Sequence, residues 1–450
     1  MKTSIFQKVI HKTWLKDELL QKLFKNAAIL FSGNVAASLL GLVSLALTAR
    51  ALGVEEFGIL VLITTYVLIV DKLINFQSWQ ALIKYGAEAL EKNKQEDFKV
   101  LLKFGFVLDT GTAILGAIVA ASLAGVVGDW LGWNNEQILM AVAYSATVLF
   151  HINGTPIAIL RLFNKFKKTA VQQVYASLFK LIGVSVAYSF GAGLWAFLLI
   201  WALTDVLGKL LLIIYAAREL VCQEVKGVLV ASLKGLSSRF YGVWGFVITT
   251  NLNSSIRMTS RELDIMIVAA ILGPAASGLY KIAKQFTSVI QKTINPMYQA
   301  VYPELAKLYS SGQIKRFINF SLKSSLLAGF IAMVLWLVFL VLADQIINWT
   351  VGSEYLDAKG VMLWYMLAAV IAAVAFPLQP AMLSMGRPHM TFWVHIASTA
   401  IYFAVLFPML KGFGLVGAGM AYVVYYAVWS LLMLLIEIKI LAKEKHQYDK

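Results

Sequence analysis

The chain has 450 residues but only one cysteine, Cys222, and five histidines: His11, His151, His389, His395 and His446. A single cysteine excludes a disulfide within the chain and any CxxC metal or redox site. The histidines form neither an HxxxH nor an HExxH pattern, so a zinc hydrolase has no support.

Charged residues are also scarce, at 14% of the chain, whereas hydrophobic residues make up 60% and the mean hydropathy is +0.75. Soluble domains usually have about 25% charged and about 45–50% apolar residues. A surface exposed to water could not be covered with so few charges. The apolar residues occur in blocks of about 20, which as helix cross about 30 Å of hydrocarbon. The composition therefore indicates an all-α polytopic membrane protein.

The apolar blocks predict twelve transmembrane spans, whose boundaries follow from hydropathy alone. These spans are residues 27–49, 58–83, 104–124, 137–160, 171–189, 194–215, 240–270, 278–302, 324–342, 361–383, 392–410 and 415–436.

Basic residues are distributed unevenly among the segments that join these spans. If the N-terminus is cytoplasmic, the cytoplasmic segments hold 28 Lys and Arg and the opposite loops hold only 3. Because positive residues accumulate in cytoplasmic loops, this ratio predicts that both termini are cytoplasmic. The same distribution explains the net charge of +15 without a nucleic-acid partner.

The N-terminal segment 1–26 carries six lysines along its whole length, without a separate apolar core or a small-residue cleavage site. It therefore does not resemble a cleavable signal peptide. Its apolar residues follow helical spacing, which predicts an amphipathic helix on the inner membrane face, with a regulatory docking site as the alternative. Residues 437–450 are expected to form a basic cytoplasmic tail.

The chain contains an internal repeat, because four groups of residues recur at an offset of 220 or 221 positions. The matching groups are Leu52-Gly53 with Gly58 and Leu272-Gly273 with Gly278, Asp71–Asn75 and Gln291–Asn295, Pro156 and Pro377, and Gly193-Leu194 and Gly414-Leu415. Gly53 and Gly273 are expected to end a helix, whereas Gly58 and Gly278 permit close packing where the next helix begins.

Each half of the repeat contains six spans, and an even number gives the two halves the same orientation in the membrane. The predicted domains are an N-terminal lobe at 27–215, a cytoplasmic linker at 216–239 and a C-terminal lobe at 240–436. Pro156 and Pro377 are predicted to kink the fourth span of each half, because proline removes a helix hydrogen bond.

Several segments resemble those of a known family. Thr48-Ala-Arg-Ala-Leu-Gly-Val-Glu-Glu-Phe-Gly58 resembles the first periplasmic turn of bacterial polysaccharide transporters, the oligosaccharide flippases. The segment 264–280 resembles the matching turn that opens their second half, and Pro303–Lys307, Gly386–Pro388 and Gly414–Ala418 also lie at the expected places. The family belongs to the multidrug/oligosaccharidyl-lipid/polysaccharide superfamily.

The resemblance implies a MATE-like fold in which two six-helix lobes form a V around a central cavity. The implied function is the flipping of an undecaprenyl-diphosphate-linked oligosaccharide, such as an O-antigen or exopolysaccharide repeat, from the cytoplasmic to the periplasmic leaflet. The implied partners are this lipid-linked oligosaccharide and membrane lipids, with polysaccharide polymerase or assembly proteins as further candidates. The implied location is the bacterial inner membrane.

The predicted spans contain eight basic and five acidic residues, a net charge of +3. Charges inside a bilayer normally face a bundle interior or a cavity. Arg257 and Arg261 share one helix face at i and i+4, and Lys281, Lys284 and Lys292 lie close to one helical stripe. Together with Lys72, the repeat equivalent of Lys292, these residues are the candidates for binding an anionic headgroup.

Other roles are open for several of these charges. Asp205 and Lys209, at i and i+4, favour a mutual ion pair, and Lys281 could extend to the interface instead of a cavity. Arg261 could pair with Asp264 or Glu262, and Lys72 and Lys292 could have a structural or gating role.

Asp109 and Asp264 are candidates for H⁺ or Na⁺ coupling, with a hydrated acid near the cytoplasmic end as the alternative for Asp109. No other cofactor and no metal are expected.

Three further functions are open to such a chain. A drug exporter of the same superfamily would be expected to have acidic cavity residues, and peptidoglycan-precursor flippases usually carry two more C-terminal helices. A membrane-embedded polysaccharide polymerase or ligase typically needs a long external loop. The longest such loop here, 343–360, has 18 residues without histidine or arginine, which favours a transporter over an enzyme.

Overall fold

The computed structural model describes residues 18–76 and 78–448, with side chains described at 29–30, 32–76, 78–252, 262–295, 297–298 and 300–442. Over this part of the chain the secondary structure is fifteen α-helices and three short 3₁₀ helices. The all-α prediction is confirmed. The amphipathic helix predicted at 1–26 falls largely outside the described residues.

The helices divide between two compact units. The first unit comprises Met1–Ala51 and Ile63–Leu263, and the second comprises Leu52–Leu62 and Asp264–Lys450. The predicted lobes, joined by a linker at 216–239, stay a prediction.

The first unit contains most of α1, helices α2–α8 and the first part of α9. Their bounds are α1 Glu18–Ile74, α2 Trp79–Glu91, α3 Gln95–Leu131, α4 Asn135–Ser145, α5 Gly154–Leu162, α6 Phe166–Ser189, α7 Leu194–Cys222, α8 Leu236–Arg239 and α9 Val243–Leu272, with 3₁₀ helices at Ala146–Phe150 and Val228–Val230.

The second unit contains the last residues of α9 and the six helices that follow. Their bounds are α10 Pro274–Ser310, α11 Ile314–Thr350, α12 Ala358–Ala375, α13 Leu378–Ser384, α14 Pro388–Phe413 and α15 Leu415–Tyr448, with a 3₁₀ helix at Ser353–Tyr355.

Among the described residues, nine segments are long and apolar enough to cross a membrane. Helices α9 and α10 are not among these nine, and α10 carries Lys281, Lys284 and Lys292. The multi-pass architecture is therefore confirmed, but the count of twelve spans is not.

The second predicted span, 58–83, is too long at its C-terminal end. Helix α1 ends at Ile74, and residues 79–91 form the separate helix α2. The apolar residues of α2 form one buried face with Ala81, Leu82 and Tyr85, whereas Lys84 and Glu88 are exposed. The apolar residues at the end of the predicted span are thus part of an amphipathic helix.

The glycines of the repeat have the same backbone conformation in both halves. Gly53 has φ 68° and ψ 177°, and Gly273 has φ 88° and ψ 172°. This region of φ/ψ space is essentially restricted to glycine. Gly53 therefore divides α1 into two helical parts, and Gly273 separates α9 from α10, as the repeat predicts.

The second glycine of each repeat allows two helices of the second unit to touch through their backbones. A Cβ atom built on Gly58 would lie 2.1 Å from the carbonyl oxygen of Pro274. One built on Gly278 would lie 2.9 Å from the carbonyl oxygen of Val54. The hydroxyl of Ser277 also donates to the carbonyl of Gly58 at 3.2 Å.

A methyl group at position 58 is expected to separate these helices. Gly58→Ala should lower the stability of the purified protein by at least about 1–3 kcal/mol, because the backbone of Pro274 cannot move aside as a flexible side chain could. The matched control is Gly41→Ala on the same helix, where a Cβ meets nothing within 4 Å. Thermal unfolding in detergent measures both variants, and equal melting temperatures would contradict this packing.

The fourth span of each half, for which a kink at its proline is predicted, is interrupted close to that proline. In the first half, helix α4, the 3₁₀ helix Ala146–Phe150 and α5 follow one another, and Pro156 lies in the first turn of α5. In the second half, α12 ends at Ala375, and Pro377 directly precedes α13. Gly193 and Gly414 likewise directly precede the last helix of each half, α7 and α15.

Candidate functional site

Among the described residues, each unit holds a cluster of ionisable side chains within its apolar helices. The histidine cluster in the first unit consists of Asp71, Lys72, Asn75, His151, Asp205 and Lys209. The tyrosine cluster in the second unit consists of Asp264, Tyr280, Lys284, Tyr365, Tyr402 and Tyr422. Because ionised groups at membrane depth are costly, such clusters are candidates for function.

The histidine cluster is centred on an imidazole ring between two carboxylates. Nε2 of His151 lies 2.5 Å from Oδ2 of Asp205, and Nδ1 lies 3.1 Å from Oδ1 of Asp71. His151 follows the 3₁₀ helix Ala146–Phe150, Asp71 lies in the last turn of α1 and Asp205 lies on α7. Asp71 and His151 are both buried. The break in the fourth span thus places a histidine between acids from two other helices.

Two lysines and an asparagine complete the histidine cluster. Lys72 Nζ lies 3.3 Å from Asp71, and Lys209 Nζ lies 3.8 Å from Asp205, as predicted for that i, i+4 pair. The side-chain amide of Asn75 donates to Asp71 at 3.0 Å and to the backbone carbonyl of His151 at 2.9 Å. Two lysines balance two carboxylates, so a proton added to His151 makes the cluster cationic.

Asp109 lies near the start of α5 and is fully buried. Its Oδ2 accepts hydrogen bonds from the backbone N–H of Thr155 at 2.7 Å and from the Thr155 hydroxyl at 2.8 Å. The first N–H groups of a helix have no partner within it, and inside a membrane water cannot supply one. Asp109 therefore caps the interrupted fourth span, and the alternative of a hydrated acid does not fit its burial.

Removal of this cap is expected to destabilise the protein. Asp109→Ala should cost about 1–3 kcal/mol, because it leaves the N–H of Thr155 buried without an acceptor. Asp109→Asn keeps a side-chain carbonyl that can accept this hydrogen bond, so its membrane abundance should be higher than that of Asp109→Ala. Asp129→Ala, at an exposed acid on the same helix α3, is the control. Membrane abundance and melting temperature measure the effect, and normal values for Asp109→Ala would contradict the capping role.

In the tyrosine cluster, a buried carboxylate is surrounded by donors from two other helices. Lys284 Nζ lies 3.0 and 3.1 Å from the two oxygens of Asp264. The hydroxyl groups of Tyr280 and Tyr402 donate to Oδ2 of Asp264 at 2.8 and 3.4 Å. Asp264 lies near the end of α9, Tyr280 and Lys284 on α10 and Tyr402 on α14. One acid thus joins three helices of the second unit.

Aromatic rings extend the tyrosine cluster. Tyr365 of α12 stacks on Tyr422 of α15 with ring centroids 4.1 Å apart, and Tyr280 packs edge-on against Tyr365. Further along α15, Tyr425, Tyr426 and Trp429 continue the series at helical spacing. Tyr422, Tyr425 and Tyr426 are only half-buried, so they present apolar ring faces together with polar hydroxyl groups.

The predicted site residues are only partly brought together. Lys284 and Asp264 form an ion pair, which the sequence analysis had not considered. Lys72 lies in the histidine cluster of the other unit. Lys281 is half-buried and Lys292 is exposed. The side chains of Arg257 and Arg261 lie outside the described residues, so a cavity lined by these cations stays a prediction.

Two features of the clusters were missed in the sequence. His151 was tested only against zinc motifs, although a histidine inside an apolar span next to Pro156 is itself a signal. Tyrosines are typical of the interfacial belts of membrane proteins, and the sequence analysis gave them no other role. However, Tyr422, Tyr425, Tyr426 and Trp429 are spaced at i, i+3, i+4 and i+7, which places them on one helix face.

Comparison with known proteins identifies the family. Residues 23–309 match the family model described as "Polysaccharide biosynthesis protein". The chain belongs to this family. It is also 29% identical over 347 residues to "Inner membrane protein YghQ" of Escherichia coli (strain K12), a match that covers 77% of this chain and 97% of that protein.

Solved structures of membrane transporters share the fold. One is the inward-facing conformation of a multidrug resistance MATE family transporter of the MOP superfamily, with a TM-score of 0.68, 14% identity and coverage of 92% of this chain and 95% of that one. Another is the lipid II flippase MurJ in an inward closed conformation, with a TM-score of 0.68, 14% identity and coverage of 90% and 87%. The MATE-like fold that the resemblance implies is therefore confirmed.

Proposed function

We propose that this protein flips an undecaprenyl-diphosphate-linked oligosaccharide, such as an O-antigen or exopolysaccharide repeat, from the cytoplasmic to the periplasmic leaflet of the bacterial inner membrane. The observation that carries the proposal is membership of the polysaccharide biosynthesis family, which the transporter fold supports. On this proposal the protein moves its substrate by alternating access and makes or breaks no covalent bond.

The Asp264–Lys284 pair offers a way to bind and release an anionic substrate. While Asp264 is ionised, it holds the Lys284 ammonium through two contacts. When Asp264 takes up a proton, this ion pair is lost and Lys284 can contact a phosphate, and the hydroxyl groups of Tyr280 and Tyr402 can still bond to the neutral acid. Proton uptake and substrate binding at Lys284 are then coupled, which is what a transporter with two states requires.

The half-buried rings of Tyr422, Tyr425 and Tyr426 are the groups we assign to the sugar part of the substrate. Arg257 and Arg261 remain candidates for the diphosphate, because guanidinium groups bind phosphate through paired hydrogen bonds. The partners on this proposal are the lipid-linked oligosaccharide and the surrounding lipids, and polysaccharide polymerase or assembly proteins would act on the product.

A leaflet assay tests the proposed function. The purified protein is reconstituted into liposomes that contain a fluorescent undecaprenyl-diphosphate oligosaccharide, and a membrane-impermeant reagent quenches the outer leaflet. We expect the reagent to quench all of the fluorescence when the protein is present, because flipping brings the lipid of the inner leaflet to the outer one. In empty liposomes it should quench about half. Quenching that stays at the level of empty liposomes would contradict the proposal.

The proposed orientation has its own test. If both termini are cytoplasmic, Cys222, whose side chain is exposed, faces the cytoplasm. In a Cys222→Ser background, a cysteine placed at the exposed Ser353 should face the periplasm. An impermeant thiol reagent added to intact cells should label this introduced cysteine but not Cys222 of the native chain, which the membrane shields. Labelling of Cys222 in intact cells would reverse the orientation.

A further inference from the structure

The first unit contains a cavity of about 760 Å³ whose lining includes no member of either ionisable cluster. One wall is the first half of α3, with Phe104, Val107 and Leu115, and the other is formed by Leu233 and Trp244. The volume lies within the roughly 300–1,000 Å³ typical of small-molecule sites. Its lining is mainly apolar, which suits a hydrocarbon chain.

The second wall belongs to the connecting segment, residues 223–242, which joins α7 to α9, and to Trp244 in the first turn of α9. Its buried side chains Leu236 and Phe240 pack into the core of the first unit. The ammonium of Lys103 donates to the carbonyl of Ala231 at 2.8 Å, and the hydroxyl of Tyr85 donates to the carbonyl of Tyr241 at 3.1 Å. These contacts hold the connecting segment in place, so the cavity between it and α3 is a defined part of the fold.

The outer face of the connecting segment is apolar. Leu229 is 74% exposed, Val230 is 86% exposed and Tyr241 is 94% exposed. Large apolar side chains on a well-anchored segment are not expected to face water together. In a membrane protein, such side chains beside lysines are typical of an element that lies in the headgroup layer.

Basic and hydroxyl side chains lie at the edge of this cavity. Ser237 and Ser238 line it, and Lys234 and Arg239 are their near neighbours on the exposed side of the segment. The segments 84–103, 161–170 and 216–239 together hold 13 Lys and Arg but only 6 Asp and Glu. A positive edge beside an apolar cavity matches a lipid with an anionic head, because basic juxtamembrane segments attract anionic lipids.

We propose that this cavity binds one acyl chain of an anionic membrane phospholipid, whose phosphate lies beside Lys234, Ser237 and Ser238. The lipid would be a resident ligand that fills the space between α3 and the connecting segment. The exposed Leu229 and Val230 place the cavity edge in the headgroup layer. Phospholipids are abundant there and combine an acyl chain with an anionic phosphate. The proposal does not depend on which substrate the protein transports.

The test uses photolabelling of the purified full-length protein by phosphatidylglycerol that carries a diazirine on one acyl chain. We expect the label in the peptides that contain 104–115 and 233–244. Gly111 lines the cavity, and a Cβ built there meets nothing within 4 Å. Gly111→Phe should therefore lower the labelling about tenfold without disturbing the fold, because the ring occupies the space of the chain.

The matched control is Gly125→Phe, which lies on the same helix outside the cavity lining and also meets nothing within 4 Å. It should label as strongly as the native chain. Lys234→Gln should lower the preference for phosphatidylglycerol over phosphatidylcholine several-fold, since the preference rests on charge.

Three outcomes would overturn the proposal. One is equal labelling of Gly111→Phe and Gly125→Phe, and another is equal labelling by phosphatidylcholine and phosphatidylglycerol. The third is displacement of the label by undecaprenyl phosphate but not by unlabelled phosphatidylglycerol, which would assign the cavity to a substrate lipid. None of these results bears on flipping itself, which the leaflet assay measures separately.

Discussion

Lys284→Ala is expected to abolish glycan export and to lower the stability of the protein by about 3–5 kcal/mol, because removing one partner leaves the other charge buried and unmatched. Asp264 is 1% exposed, and Lys284 supplies its only cationic contact among the described ion pairs. Surface glycan, membrane abundance and melting temperature should be measured together. Lys359→Ala is the control, since its pair with Asp344 is exposed and should contribute about 0–1 kcal/mol.

A double variant separates folding from transport. Asp264→Asn with Lys284→Met removes both charges but keeps polar and apolar groups of similar size, so much of the lost stability should return. Export should stay absent, because the ammonium that binds the phosphate and the acid that releases it are both gone. Normal export by the double variant would contradict the proposal that Lys284 passes from Asp264 to the phosphate of the substrate. It would not contradict the fold.

His151→Phe is expected to reduce export at least about tenfold, because the ring nitrogens that join Asp71 to Asp205 are lost and two carboxylates are left near each other. The substitution keeps an aromatic ring in the break of the fourth span, so its main effect is on charge. His389→Phe, at an exposed histidine at the start of α14, should leave export unchanged. Export relative to protein level, measured in cells that lack the native gene, gives the comparison.

A second substitution that compensates for His151→Phe gives this prediction a further test. If charge repulsion is the cause, Asp205→Asn added to His151→Phe should restore protein abundance, since only one carboxylate then remains. Export should stay low if the imidazole carries a proton during transport. Normal export by His151→Phe alone would show that the histidine cluster has no part in the transport cycle.

Backbone features set by single residue types could be predicted from the sequence. The repeat at an offset of 220 residues identified Gly53 and Gly273, and both have the φ/ψ values that only glycine readily adopts. The prolines likewise predicted where the fourth spans break. The pair Asp205–Lys209 could be read directly, because i, i+4 neighbours on one helix must lie side by side.

Contacts between helices could not be read in this way. Asp264 and Lys284 lie on α9 and α10, on either side of Gly273, and helical periodicity does not tell which faces of two helices meet. The sequence therefore presented Lys284 as a cation for the substrate and Asp264 as a separate coupling group. Asp109 was similarly judged by its distance from a span end, whereas its role depends on the break in the fourth span.

The central claim is that lipid-linked oligosaccharide crosses the membrane through this protein. The most direct test is the profile of lipid-linked sugars in cells that lack it. We predict that the undecaprenyl-diphosphate repeat accumulates, that it is restricted to the cytoplasmic leaflet and that the native protein, but not the Asp264→Asn, Lys284→Met double variant, restores export. An unchanged profile in those cells, with the repeat reaching the periplasmic leaflet at the normal rate, would contradict the claim.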